Sequence, residues 1–191
     1  MALPPNRTHR IVVPRGPARE ARSFLAQLDD QSRRLREDLR GISAAELGWQ
    51  LKPGTNTIGM LLAHIAIVEV YWLQIALGRG VPHADVDAVL RFGADDDGMP
   101  LPPGKRPPAH LRGRRLAYYE VLLARARAFA KRTAGRWPDA EMERMVTRHR
   151  RDGTRSRHSV RWILYHVLEH EAGHYGQILL LRHLYRERRN A

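Results

Sequence analysis

The chain contains no cysteine, which excludes disulfides, thiolate-held metals and a cysteine nucleophile together. Lysine is scarce: Lys52, Lys105 and Lys131 stand against thirty arginines. No apolar leader is visible, because Met1 to Pro17 is proline-rich and basic, and a cytoplasmic location is expected. Helix-turn-helix and finger signatures are missing too, as are internal repeats and extended low-complexity segments. Acidic residues number 20 against 33 basic ones, for a formal charge of +13. A bias this size reflects coding composition as readily as a ligand. The basic residues are dispersed over Arg7 to Arg22, Arg112 to Arg132, Arg144 to Arg161 and Arg182 to Arg189. The charge therefore implies weak, salt-sensitive attraction to nucleic acid or anionic surfaces, without a specific reading element.

What is present is a chain of 191 residues, 43% hydrophobic, long enough for one domain with a sizeable core. Residues 1–16 read as a basic, proline-rich tail and residues 17–191 as the domain. Four helical segments stand out. The first spans Pro17 to Arg40, with Phe24, Leu25, Leu28, Leu35 and Leu39 as its apolar side and Gly41 as its stop. The second spans Thr57 to Leu77, with Thr57 as N-cap and Gly78 as terminator. The third follows Pro107-Pro108 and reaches Thr133, and the fourth runs from the N-cap Ser159 to Arg188. Asp152-Gly153, inside Met145 to Arg157, marks a tight hairpin turn. The long connection from Arg79 to Pro108 fits a crossover. The expected fold is all-α, a four-helix bundle with a long crossover between helices two and three.

Helix two is long enough to span a membrane and carries no lysine or arginine. His64, Glu69 and Gln74 interrupt it on several sides, however, and no second span exists, so a buried helix of a bundle is the better reading. Asp95 to Asp97 lack the spaced ligands of an EF-hand and read as a solvated loop.

His170-Glu171-Ala172-Gly173-His174 carries the most chemical information. Residues four apart lie one above the other on a helix, so both imidazoles can reach one ion. At roughly 100° per residue, His166, His170, Gln177, Ile163 and Leu181 fall within a sector of about 60°, flanked by His174, Val167 and Ile178. The histidines thus share a stripe with core-type side chains. On helix two, His64 shares its face with Leu61, Ile65, Val68 and Trp72. A buried imidazole needs a partner for its nitrogens, and a metal shared with His170 and His174 would supply one. Three histidines with open remaining positions form a catalytic rather than a structural metal pattern. Spacing alone does not decide between that site and ordinary core histidines.

The string also satisfies H-E-x-x-H, the zinc metallopeptidase motif. The extended motif needs a histidine where Leu180 stands, and Glu187 is the one acidic residue after His174. The third peptidase ligand is missing.

Two segments resemble the DinB/YfiT-like metalloenzymes: Thr57-Ile58-Gly59-Met60-Leu61-Leu62-Ala63-His64-Ile65, and helix four from Ser159 through His166, His170-Glu171-Ala172-Gly173-His174 and Tyr175-Gly176-Gln177-Ile178. That family has one histidine in its second helix and H-x3-H, commonly followed by Gly-Gln, in its last. The resemblance covers Pro17 to Arg188 and includes the element order and the crossover. One departure is Tyr175, where many members carry histidine or arginine.

The resemblance implies that His64, His170 and His174 are metal ligands and that the protein is a homodimer. It implies a divalent ion, with zinc, nickel, iron and manganese all compatible with three imidazoles. His166 matches no ligand position and is expected in the pocket with Trp72 and Gln177. Some relatives are transferases or isomerases using low-molecular-weight thiols such as mycothiol or bacillithiol. The expected function is therefore a small-thiol-dependent S-transferase or isomerase, with Arg161 as a candidate for holding the thiol's carboxylates. A metal-dependent hydrolase and a non-catalytic metal-binding bundle are the alternatives. Glu171 is either a general base, as in H-E-x-x-H enzymes, or an exposed helix glutamate. Glu69 either orients a histidine or pairs with an arginine of a neighbouring helix.

Overall fold

Capping residues set the helix boundaries. In the computed structural model, which describes residues 11–78, 82–91, 106–150 and 152–190, the Thr57 hydroxyl accepts from the Met60 N–H at 3.0 Å. The Ser159 hydroxyl accepts from the Trp162 N–H at 3.1 Å. Both satisfy amides that the first helical turn leaves unpaired. Asp95 to Asp97 and the first ten residues of the tail lie outside the described residues.

The protein is mostly helical. Helix α1 (Arg19–Asp38) buries Ala21, Leu25, Leu28, Gln31 and Leu35, the three- and four-residue spacing of an amphipathic helix. A single turn, α2 (Ala44–Leu47), follows, and the Ser43 side chain caps it at the Glu46 N–H. Helix α3 (Ile58–Ala76) is buried over all 19 residues, because α4, α5, α6 and strand β1 pack around it. Among the described residues, α3 is the one helix long and apolar enough to cross a membrane, and all of it lies inside the protein.

The crossover contains a further helix, α4 (Pro82–Leu90). The third long helix begins later than the proline pair predicts. A 3₁₀ turn at Ala109–Leu111 comes first, and Gly113, at φ +67°, breaks the path before α5 (Leu116–Ala134) starts. Leu111 is buried all the same, so it joins the core from the 3₁₀ turn rather than from α5. Tyr119 of α5 donates to the Leu111 carbonyl at 3.0 Å and leaves no room beside Gly59: a Cβ there would lie 2.3 Å from its hydroxyl. That close approach seats α5 against the N-terminal end of α3.

Strands β1 (Met145–His149) and β2 (Arg155–Ser159) pair antiparallel, from Met145 opposite Ser159 to His149 opposite Arg155. Gly153 turns the hairpin at φ +83°, and the Asp152 carboxylate accepts from the Thr154 N–H at 2.8 Å. β2 then runs directly into α6 (Val160–Asn190). Helix α6 packs on both α1 and α3, which gives it two buried faces.

Candidate metal centre

The site forms where α3 meets α6. His64 is buried, 5% exposed, in the middle of α3. The His170 Nε2 lies 3.0 Å from the His64 Nε2 and 3.0 Å from the His174 Nε2. The three ligand-type nitrogens all lie within 4.8 Å of one another. Two nitrogens bound to one ion at roughly 2.0–2.1 Å would sit about 2.8–3.4 Å apart, for angles from square to tetrahedral. The two 3.0 Å spacings fall in that range, and the three-histidine group could hold a metal ion once His64 and His174 draw slightly together.

Protonation points the same way. Burial, and then the neighbouring His64, His174 and His166, hold the His170 pKa down to about 2. Burial also lowers that of His174, against a hydrogen bond to Gln177 that raises it. Both imidazoles are neutral near pH 7, the form that ligates metals. The His174 Nδ1 donates to the Gln177 Oε1 at 2.8 Å, so the Nε2 lone pair faces His170. Such an outer hydrogen bond fixes the tautomer and the ring angle of a ligand. Gln177→Leu is accordingly expected to weaken zinc binding by about tenfold while leaving the fold intact; a competition titration with a chromophoric chelator measures it.

A cavity of about 160 Å³ opens beside the triad, lined by His64, Val68, Tyr71, Trp72, Arg148, His166 and His170. His166 stacks on Trp162 with the rings 5° from parallel and 4.8 Å apart, and meets Trp72 edge-on at 4.8 Å. The His166 Nδ1 lies 3.1 Å from the Glu169 carboxylate. The structure thus brings His166 and Trp72 to the triad, with Gln177 behind it.

Three other residues lie elsewhere. Arg161 is turned to Glu20 and Glu143, away from the cavity. Glu171 is 1% exposed, so the exposed-glutamate reading fails: α6 packs on α1, which covers that face. The Ser32 hydroxyl donates to Glu171 at 2.6 Å, and Arg127 of α5 reaches it at 3.0 Å. The same guanidinium donates to Glu69 at 2.7 Å, which makes Glu69 the partner of a neighbouring helix's arginine. The Arg127 side chain is 11% exposed and both glutamate side chains 2%. One buried cation cannot neutralise two buried carboxylates, and burial raises the Glu171 pKa to about 7 even against Arg127. Arg127 itself, which burial pushes toward the neutral form, is held charged by Glu69 and then Glu171.

Arg127 and Arg148 escaped the sequence reading. In a chain with thirty arginines, composition gives neither any distinction. For Arg127, the lone carboxylate Glu69 in an apolar helix was the available signal. The α2 turn had one as well, since Ser43-Ala44-Ala45-Glu46 has the S-x-x-E pattern of a capping box.

A mostly helical protein whose buried helix and last helix converge three imidazoles has the build of the DinB/YfiT-like class. The sequence profile of Mycothiol-S-transferase matches residues 23–187, and the chain belongs to that family. No curated protein matches it.

Proposed function

We propose that the protein is a metal-dependent S-transferase that joins a small thiol to an electrophile at His64, His170 and His174, with the four long helices forming a DinB-type bundle. The convergence of three imidazole nitrogens beside a cavity carries this reading. The family supports a thiol cosubstrate, and a chain without cysteine must take its sulfur nucleophile from outside. A divalent ion held by the triad supplies Lewis acidity, which lowers the pKa of a thiol so that thiolate is available at neutral pH.

The chain's own residues supply the rest. Gln177 orients His174, and His166, with Nδ1 engaged by Glu169, offers Nε2 to the thiol proton. The sulfur then forms its bond to the electrophilic carbon, and the proton on His166 returns to the group that leaves or to the carbon that has gained electrons. We assign Glu171 a positioning role through Arg127 rather than that of a base, because both its oxygens are engaged away from the cavity. Tyr165, Leu179 and Leu180 are exposed on α6 and support a homodimer.

Metal-loaded protein incubated with a small thiol and a small electrophile is expected to yield the thioether adduct, detected by mass spectrometry and lost on chelation. Hydrolysed electrophile without adduct would instead identify a hydrolase.

A further inference from the structure

Arg148 enters the site from outside the helices. It stands on β1 opposite Ser156, and the hairpin carries it over α3. Its Nε donates to the Tyr71 hydroxyl at 3.1 Å. Its guanidinium carbon lies 5.2 Å from the Tyr71 ring centre and 5.0 Å from that of Trp72. Stacking of this kind fixes the plane of a guanidinium and leaves its edge donors directed outward.

Three other arginines that bridge elements end on carboxylates, Arg127 on Glu69 and Glu171, Arg161 on Glu20 and Glu143, and Arg182 on Glu46, and Arg22 ends on backbone carbonyls. Arg148 does not. Among the described residues no carboxylate pairs with it, although it is half-buried and lines the cavity that holds His64 and His170. A half-buried cation that no described carboxylate neutralises, at the wall of a cavity, has the make-up of an anion site. The cavity, at about 160 Å³, is of the size that admits a single benzene ring. Trp72 and His166 give it flat walls.

We propose that Arg148 anchors a planar, anionic group, a carboxylate on the electrophile or on the thiol, and so aligns that substrate beside the histidine triad. The substrate role rests on the transferase reading, whereas binding at the subsite does not.

The test uses metal-free protein, so that a carboxylate cannot bind through an ion, and follows tryptophan fluorescence on titration with benzoate and with benzamide. Benzoate is expected to bind at least tenfold more tightly than benzamide. Arg148→Gln should abolish that preference at an unchanged thermal midpoint, and Arg148→Lys should keep part of it. Equal binding of the two probes by the wild type would overturn the proposal. So would undiminished benzoate preference in a folded Arg148→Gln. In a turnover assay Arg148→Gln raises KM for whichever partner bears the anion. A rise for the electrophile or for the thiol assigns the carboxylate to that molecule, and no rise for either overturns the subsite's role. Absence of turnover in every variant would count against the transferase reading and leave the benzoate result standing.

Discussion

Changing His170 to alanine is expected to lower the affinity for zinc or nickel at least about a hundredfold. Its Nε2 is the central member of the triad, 3.0 Å from each of the other two, so its loss leaves His64 and His174 without the nitrogen that bridges them. Losing an outer hydrogen-bond partner of a ligand already costs about 10–100-fold, and losing the ligand itself must cost at least as much. The reading is a competition titration beside thermal unfolding with and without metal. A metal that binds only the folded state raises the unfolding midpoint, and this rise should disappear in the variant. Retention of the full metal-induced rise would remove His170 from the site.

Replacing Arg127 with methionine is expected to cost about 3–5 kcal/mol of stability at pH 8, because it leaves buried carboxylates without their cation. The side chains of Glu69 and Glu171 are each 2% exposed, and neither can turn to water without moving a helix. The loss should depend on pH with a definite sign. Burial raises the Glu171 pKa to about 7 in the wild type, against the lowering influence of Arg127; without Arg127 it must rise further. Below about 7 the folded forms of both proteins hold Glu171 protonated, and its ionisation contributes nothing to their difference. Above that pH the wild type ionises Glu171 while the variant keeps the proton, so the variant loses up to about 1.4 kcal/mol more per pH unit. Urea unfolding of metal-free protein at pH 6 and pH 8.5 measures this; metal-free protein keeps metal release out of the comparison. A gap that narrows as pH rises would contradict the assignment. Adding Glu69→Gln and Glu171→Gln to the variant should restore most of the stability, since a neutral network no longer needs the cation.

That network also says why the triad assembles. Arg127 ties α3 to α6 through residues that neighbour the histidines: Glu171 follows His170 directly, and Glu69 lies just over one turn beyond His64. Fixing those two carboxylates on one guanidinium fixes the relative register of the helices whose imidazoles must meet.

Local signals on the chain foretold the elements that local chemistry determines. Thr57 and Ser159 announce their helices through side-chain oxygens that cap them, and Asp152-Gly153 announces its turn. The four-residue spacing of His170 and His174 places them on one face of any helix. The meeting with His64, 106 residues away, is a tertiary event, and the sequence offered only an imidazole stranded in an apolar helix. Glu171 was misjudged because a helical stripe shows one buried face, whereas α6 is covered by α1 as well as α3. Arg161 and Arg148 flank the same hairpin region with the same side chain. Only packing decides that Arg161 turns to Glu20 and Glu143 while Arg148 turns to Tyr71 and Trp72. The late start of α5 belongs with these, since Gly113 at φ +67° interrupts a run whose apolar pattern continues through it.

The most direct test is metal content by mass spectrometry on untagged protein, wild type beside His64→Ala. About one ion per chain in the wild type, lost in a His64→Ala variant that remains folded, is the predicted result, because a single ion must be shared between α3 and α6. Full metal retention in His64→Ala, or a wild type that binds none after reconstitution with zinc, nickel, iron and manganese, would contradict it.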